Sequence, residues 1–224
     1  MTTAPRQIDA PGRLFDSLSE AAVRTVAELR DTYEHPGDNA VRKQVDHIND
    51  TARRLIAHSP LVMIASAGAD GRCDVSPRGG PAGLVSVLDP YTLAVPDATG
   101  NKRLDSLHNI VETGRVGLLF LIPGRDTTLR VNGRALVSTD PELLAGLVNV
   151  GKPPRSAIVV KVEEVYGHCP KAFLRSGAWK PEKWPDLTDA PSSAQVTAAH
   201  LADPAITVEM IEQDERDSIL YRYE

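Results

Sequence analysis

Between residues 60 and 167 the sequence consists mainly of short β-favouring segments, and this pattern constrains the fold more than any other feature. The first two segments are "LVMIAS" and "RCDVSPR", which the turn signal "ADG" separates. Further candidate strands lie at 83–88, 91–96, 115–122, 127–138 and 157–167. Mostly consecutive strands joined by short turns indicate an antiparallel sheet, and six of these seven within roughly a hundred residues favour a small closed barrel over a doubly wound α/β fold.

Helical patterns flank and interrupt this β region. Apolar residues at helical spacing predict helices at 19–34 and 39–58, at about 101–113 and 140–149, directly after Pro170, and near the end of the chain. A segment rich in Pro, Ser and Asp follows residue 180 and is typical of a linker or surface loop. The predicted fold is therefore mainly β with flanking helices: an N-terminal helical arm at 1–58, a barrel domain at 59–180 and a C-terminal extension at 181–224.

Composition limits the partners and the location that we expect. The 224 residues carry a formal net charge of -5, so no overall positive field attracts the chain to nucleic acid or to an anionic membrane. No apolar run approaches the roughly 20 residues of a membrane span, and the first residues lack the apolar core of a signal peptide. We therefore expect a cytoplasmic protein with no nucleic-acid or membrane partner. Cys73 and Cys169 lie far apart and predict neither a disulfide nor a metal site.

The stretch "CDVSPRGGPAG" places a single arginine after a short alternating segment. Alternation separates two faces of the predicted strand, with Asp74, Ser76 and Arg78 on one and Cys73, Val75 and Pro77 on the other. The polar face could be a solvent-exposed edge, or it could contact a ligand. Proline suits an edge strand, and glycines permit close approach of either a neighbouring segment or a ligand. This motif alone leaves both interpretations open.

A second basic motif, "DATGNKRLDSLHN", predicts a helix that Asn101 caps and whose first turn contains Lys102 and Arg103. Cations are unfavourable at that end, because a helix N-terminus already carries a partial positive charge and free N–H groups. An anion bound between them would resolve the conflict. The motif therefore predicts a phosphate site that also includes Ser106, slightly ahead of the alternative that both cations are simply solvated.

Two later segments carry polar residues that could reach a ligand. In "TTLRVNGRALVS", Thr128, Arg130, Asn132 and Arg134 share one face, where they could hydrogen-bond a heterocycle or face water. In "HCPKAFLRSGAW", Lys171 and Arg175 are four residues apart on a predicted helix, with Trp179 just beyond. These three residues could bind an anionic substrate or a cofactor ring, or they could form a solvated basic face beside a packed tryptophan. The sequence contains no legible nucleophilic triad and no GxGxxG after a strand.

Taken in order, these motifs resemble the pyridoxamine 5'-phosphate oxidase-like family of FMN-binding split barrels. The resemblance covers about residues 40–185 and rests on "DGRCDVSPRGGPAG", "TLAVPDATGNKRLDSLHNI", "GRVGLLFLIPG", "TLRVNGRALVS" and "HCPKAFLRSGAW". It is strongest to a bacterial subgroup of unassigned substrate. The resemblance implies a six-stranded antiparallel split barrel that forms a homodimer, with two FMN sites at the subunit interface built from both chains.

The resemblance also implies roles for individual residues. The strand from Val75 to Arg78 would lie along the flavin and its ribityl chain, Lys102 and Arg103 would hold the phosphate, and the next strand would contribute backbone contacts. Together with the phosphate prediction above, the expected cofactor-binding residues are Val75, Ser76, Pro77, Arg78, Val95, Pro96, Asn101, Lys102, Arg103, Ser106, Thr128 and Arg130.

Departures from the true pyridoxamine phosphate oxidases limit what the resemblance implies. Their substrate-phosphate set of Lys, Tyr, Arg and Ser is absent, as is their C-terminal Trp followed by an Arg motif, so vitamin B6 oxidation is not expected. Lys171, Arg175 and Trp179 are the candidate replacements for substrate binding. We expect an FMN-dependent oxidoreductase that acts on an unknown small molecule. The alternative is a module that binds flavin, deazaflavin or haem for sensing or storage without turnover.

Overall fold

The structure is a computed structural model that describes residues 13–98, 100–150 and 152–222. It divides into two compact units, with the boundary after Arg42. The first unit contains three helices, α1 (Arg13–Ser19), α2 (Val26–Tyr33) and α3 (Asp38–Arg42). The second unit contains every strand and the remaining helices. Each unit is described by itself below.

The helices that the sequence predicts at 19–34 and 39–58 are both interrupted. Ser19 ends α1 instead of capping a longer helix, and α2 begins after Thr25, whose side chain accepts a hydrogen bond from the Glu28 N–H. After α3 the chain is extended enough for Val45 to form a β-bridge with Val165. Helix α4 (Asp50–Ala57) then begins after Asn49, which caps it through the Ala52 N–H. The sequence pattern therefore predicts two continuous helices where the structure has shorter ones, and the side-chain caps Thr25 and Asn49 begin α2 and α4.

The second unit is built on one antiparallel sheet of seven strands. They are β1 (Leu61–Ala67), β2 (Cys73–Gly79), β3 (Ser86–Asp89), β4 (Thr92–Pro96), β5 (Arg115–Leu121), β6 (Leu129–Ser138) and β7 (Ala157–Gly167). Their order across the sheet is β2-β1-β5-β6-β7-β4-β3. The mainly β fold with flanking helices is confirmed as a split barrel. The sheet has seven strands rather than the expected six, and no ladder in the described chain joins the edge strands β2 and β3.

One face of the sheet forms the core. Alternate residues of the central strands, among them Ile64, Leu118, Val131 and Val160, are at most 1% exposed. Each such side chain contributes roughly 1.5–3 kcal/mol when it leaves water. Ile48 and α4 pack into the same cluster, although the sequence assigns them to the N-terminal arm. The domain boundaries at 58 and 180 themselves stay predictions.

A β-bulge between β6 and β7 decides which side chains of β7 point outward. Asn132 pairs with Glu164 and Gly133 with Val162, so Glu163 is an extra residue in β7. The buried positions of β7 therefore change from Val160 and Val162 to Val165. A Cβ atom at Gly133 would overlap the Lys161 carbonyl oxygen, so this position requires glycine. The bulge places Glu164 and Tyr166 on the outer face of the sheet.

The remaining helices flank the sheet. They are α5 (Asp105–Thr113), α6 (Pro141–Ala145), α7 (Lys171–Ser176), α8 (Ser193–Leu201) and α9 (Val208–Arg222), with a short 3-10 helix at Pro181–Lys183. Helix α8 lies partly in the segment that the sequence assigns to a linker, and Ser192 and Gln195 form a reciprocal capping box at its start. None of the described helices is long and apolar enough to cross a bilayer.

Candidate functional site

The polar face of β2 points into the split between the sheet edges rather than out to solvent. Ser76 and Arg78 pair in register with the buried core residues Ile64 and Val62 of β1, and both are half-buried. Val75, on the opposite face, is 61% exposed. The alternation predicted from the sequence is present, but the interpretation of the polar face as a solvent-exposed edge is wrong. The inward direction follows from the pairing with β1, which sequence alternation alone does not reveal.

Asp74 organises the polar face of β2 and was missed by the sequence predictions. Its Oδ2 atom accepts hydrogen bonds from Ser76 Oγ at 3.0 Å and from Ser106 Oγ at 2.7 Å. Ser106 is only 1% exposed. The expected phosphate-binding hydroxyl therefore joins α5 to β2 through a carboxylate in this structure. Two hydroxyl donors on one carboxylate make a buried hydrogen-bond network that fixes the start of α5 against β2.

Helix α5 begins four residues later than the sequence predicts. Lys102 and Leu104 adopt left-handed backbone conformations, with φ of 63° and 61°, and the helix starts at Asp105. Asn101 does not cap the helix, because its Oδ1 atom accepts a hydrogen bond from the Arg103 N–H at 3.0 Å in the preceding loop. Lys102 and Arg103 therefore precede the helix. The residue in its first turn is acidic, as a helix N-terminus favours, so the argument from misplaced cations is wrong.

Asp97 and Arg103, which both precede α5, interact with charged side chains of β2. At one end, burial raises the pKa of the Asp97 carboxyl, and the nearby Arg78 guanidinium partly opposes this. At the other end, Asp105 and, more weakly, Asp74 raise the pKa of Arg103, whose Nε lies 2.9 Å from Asp105 Oδ2. Arg78 and Arg103 therefore mark the two ends of a charged strip along the inner edge of β2.

An open cleft of about 560 Å³ lies between the β1–β2 turn and α5. Its charged lining is mixed, with Asp70, Asp74, Asp105 and Glu112 opposite Arg72, Arg103 and His108. The turn is tied to α5, since the Ala69 N–H donates to Glu112 Oε2 at 3.0 Å. This cleft opens directly onto the Arg103 end of the strip.

Val95 and Pro96 can contact a ligand only through their backbone. Both side chains are buried, and Val95 belongs to the hydrophobic core. On one side these residues pair with Ile158 and Ala157 of β7, whereas the β3 ladder on the other side ends at Ala94. The backbone groups of Val95 and Pro96 therefore lie outside the β3–β4 ladder. This geometry is compatible with the backbone contacts that the sequence resemblance implies.

The polar face of β6 lies on the outer side of the sheet and bonds to β7. Arg130 Nη1 donates to the Tyr166 hydroxyl at 2.9 Å, and Asn132 Nδ2 donates to Glu164 Oε2 at 2.8 Å. Thr128 is 5% exposed, and its carbonyl accepts from the His168 N–H at 2.9 Å. Within one chain these residues are not brought together with Arg78, because β1 and β5 separate β2 from β6 and the two sets point to opposite faces.

The third predicted set lies on and after α7. Lys171 and Arg175 are exposed on this helix. Trp179 packs parallel to Phe173, with 5.7 Å between ring centroids, and its Nε1 donates to the Arg125 carbonyl at 2.8 Å. The tryptophan therefore holds α7 to the β5–β6 loop. This agrees with the second interpretation from the sequence, a solvated basic face beside a packed tryptophan. The structure brings no β2 residue to this set.

Comparison with known proteins identifies the family. A family model described as pyridoxamine 5'-phosphate oxidase matches residues 48–169, which is more than half of the chain. The chain belongs to the pyridoxamine 5'-phosphate oxidase family. There is no match among the curated proteins. The match begins at Ile48, the core residue that precedes α4, and ends at Cys169, so it contains the β2 strip and the polar face of β6.

Solved structures of other proteins show modest similarity to this pyridoxamine 5'-phosphate oxidase family member. HupZ of Group A Streptococcus is 20% identical over 54% of this chain and 93% of its own, with a TM-score of 0.43. A candidate pyridoxamine 5'-phosphate oxidase from Lactobacillus delbrueckii is 25% identical over 55% and 95%, also at 0.43. The FAD binding protein from Mycobacterium smegmatis is 16% identical over 55% and 95%, at 0.39.

Several residues of this family member with clear electrostatic roles were not predicted from sequence. Asp74 and Asp97 lie beside the predicted cations, and Lys43, Tyr166 and His168 lie around Arg130. Alternation in "CDVSPR" already groups Asp74 with Ser76 and Arg78 on one face, but it assigns the carboxylate no role. No group of three or more His, Cys, Asp or Glu residues in the described part of the chain is placed to hold a metal ion.

Proposed function

We propose that the chain is an FMN-dependent oxidoreductase acting on a small molecule, with the flavin held at the inner edge of β2. The observation that carries this proposal is the strip along β2, a polar, half-buried strand face with Arg78 near Asp97 at one end and Arg103 near Asp74 at the other. Membership of the pyridoxamine 5'-phosphate oxidase family supports a flavin as the cofactor. Family membership alone does not choose FMN, and cations that could bind a phosphate favour a phosphorylated flavin, of which FMN is our choice.

The residues present fit a phosphate held by side chains better than one held by a helix terminus. Asp105 already occupies the first turn of α5, and a phosphate there would meet a like charge. Lys102 is exposed and forms no ion pair within the described residues, and Arg103 could exchange its exposed Asp105 partner for a phosphate. Among the described residues, the one hydrogen-bond partner of the Arg78 guanidinium is the neighbouring Pro77 carbonyl, to which Nη1 donates. These three cations would hold the phosphate and ribityl end of the cofactor.

Other residues of the chain position these cations and shape the site. Asp74 fixes Ser76 and Ser106, so the inner face of β2 keeps one arrangement whether or not ligand is bound. The Val95–Pro96 backbone would contact the flavin from the adjoining strand. Bound FMN supplies hydride transfer at N5, so the protein contributes binding, orientation and electrostatics rather than a catalytic acid or base.

The outer face of the sheet supports the proposal of a homodimer. Apolar residues of three neighbouring strands lie side by side there: Val75 and Pro77 of β2, Leu61, Met63 and Ala65 of β1, and Leu119 and Leu121 of β5. Val75, Pro77 and Ala65 are exposed and the other four are partly exposed, and contiguous apolar surface of this kind usually marks an interface. A second copy would cover it. A second copy could also bring Thr128 or Arg130 to a flavin bound at the first chain's Arg78, which one chain cannot do.

A flavin titration of the purified full chain tests the assignment. FMN fluorescence should be quenched on binding, and Arg78→Met or Arg103→Met should each weaken the affinity by about tenfold or more, since a hydrogen bond to a charged group contributes roughly 1.5–3 kcal/mol. Arg54→Met is the matched control, because Arg54 is exposed on α4. Affinities equal to that of the control would refute the site.

Turnover separates an enzyme from a binding module. The flavin-loaded protein should bleach when a reduced nicotinamide or another hydride donor is added without oxygen, and the colour should return on addition of an acceptor. If bound flavin is neither reduced nor reoxidised with product formation, the chain binds flavin without catalysing a reaction.

A further inference from the structure

A cluster of basic and aromatic side chains lies at the Tyr166 end of the β6–β7 outer face, away from the β2 strip. We call Lys43, Arg130, Tyr166 and His168 the Tyr166 cluster. Lys43 Nζ and the Arg130 guanidinium carbon lie 5.9 Å and 5.5 Å from the centroid of the Tyr166 ring. The His168 ring centroid lies 5.3 Å from the same ring. Two cations and an imidazole therefore surround one tyrosine.

The two cations of the cluster have neutral hydrogen-bond partners. Lys43 Nζ donates to the Gly167 carbonyl at 2.7 Å, and Arg130 Nη1 donates to the Tyr166 hydroxyl at 2.9 Å. Among the described residues, neither cation nor His168 forms an ion pair with a carboxylate. The guanidinium has five N–H donors in a planar fork, so Arg130 retains donors for a further partner.

The nearby carboxylate of Glu164 is held by amides instead. Its Oε1 accepts from Gln44 Nε2 at 3.1 Å, and its Oε2 accepts from Asn132 Nδ2 at 2.8 Å. The strand register explains this separation, because it pairs Glu164 with Asn132 and Tyr166 with Arg130. The acidic side chain on this face is thus satisfied without neutralising Arg130 or Lys43.

Part of the cluster is desolvated at His168. Its Nε2 atom is buried and has no hydrogen-bond partner among the described residues. Burial lowers the pKa of His168, and the charges of Arg130 and Lys43 lower it further. A partly buried positive site without a counter-ion, next to an unsatisfied ring nitrogen, is costly. A bound anion would offset the cost of the unpaired cations, because it would pair with them, and its charge would favour the protonated imidazole.

We propose that Lys43, Arg130 and His168 form a binding site for one anionic group, a phosphate or a carboxylate, carried by a small molecule. Arg130 would supply paired N–H donors, Lys43 a point charge and His168 an imidazole that becomes protonated beside the anion. Within one chain, β6 lies three strand spacings, or about 14 Å, from β2. The proposed anion site and the β2 strip also lie on opposite faces of the sheet. The inference does not require a bound flavin.

An NMR titration of His168 in the full chain tests this site with inorganic phosphate as the probe. His168→Gln assigns the imidazole signals. Phosphate should raise the pKa of His168 by about one unit, since an opposite charge nearby favours the charged form. In Arg130→Met the pKa of His168 should be higher before phosphate is added, and the rise on adding phosphate should be much smaller. Arg134→Met, which alters an exposed arginine of the same strand, should behave as the parent.

The controls make each outcome decisive. Amide spectra of each variant must show the parent fold, and Lys43→Met provides a second variant should Arg130→Met fail to fold. A His168 pKa that ignores phosphate, or that responds equally in Arg130→Met, overturns the site. Acetate in place of phosphate shows whether a carboxylate suffices. If FMN alone shifts the pKa and phosphate does not, the cluster belongs to the flavin site and the separate site is refuted; absence of flavin binding refutes only the proposed function.

Discussion

The two arginines at Arg78 and Arg130 both extend from strands of one sheet, yet their surroundings differ. Near Arg78 the strip along β2 contains the carboxylates of Asp74 and Asp97. Near Arg130 the structure places Lys43, a tyrosine and a histidine, and the one close carboxylate is held by amides. Charge balance is therefore nearly complete within the first region and incomplete in the second. A phosphate bound in the first region would therefore have to compete with these carboxylates, whereas an anion bound in the second region would not.

The largest effect should come from disrupting the backbone that creates the second region. Gly133→Ala would place a Cβ against the Lys161 carbonyl oxygen, and β7 would have to move. Overpacking of this kind costs about 3 kcal/mol. Urea unfolding followed by circular dichroism should show the loss of stability. Gly37→Ala, where a Cβ meets nothing within 4 Å, is the control. A stability equal to that of Gly37→Ala would show that the bulge tolerates a side chain.

A smaller effect is expected from breaking the network of the first region. Ser106→Ala removes the buried hydroxyl that donates to Asp74 at 2.7 Å. Loss of a hydrogen bond to a charged group should lower the free energy of unfolding by about 2 kcal/mol. Ser17→Ala, at an exposed hydroxyl bonded to the Leu14 carbonyl, should cost much less. If the two variants unfold at the same urea concentration, the Asp74 network does not hold α5 to β2.

Much of the fold was predictable because strand periodicity is a local property. All seven candidate strand segments correspond to strands, and the two faces of β2 follow the predicted alternation. The direction in which the faces point was not predictable, since it depends on the pairing of β2 with the core strand β1. The start of α5 was mispredicted because Lys102 and Leu104 adopt left-handed conformations that are uncommon outside glycine.

The Tyr166 cluster could not be predicted for a different reason. Tyr166 faces outward beside Arg130 only because Glu163 is an extra residue in β7, and a bulge leaves no clear mark on a period-two pattern. Lys43 reaches the cluster because the predicted helix at 39–58 is interrupted and Val45 bridges to Val165. Long-range register therefore assembles the cluster, whereas local alternation is enough to group Asp74, Ser76 and Arg78.

The smallest predicted effect is a pH dependence that belongs to the second region alone. The pKa of His168 in the folded chain lies below its ordinary value of 6.5, so the unfolded chain binds the proton more readily. Stability from this group is present above about pH 6.5 and decreases as the pH falls toward the folded pKa.

The free energy of unfolding should therefore fall more steeply between pH 7.5 and 5.5 in the parent than in His168→Gln. In Arg130→Met the slope should be reduced, because one cause of the lowered pKa is removed, whereas Arg54→Met, at an exposed arginine of α4, should leave it unchanged. If the free energy of unfolding has the same pH slope in the parent and in His168→Gln, the imidazole titrates alike in the folded and unfolded chains. The difference in charge balance around Arg78 and Arg130 would then have no measurable effect on stability.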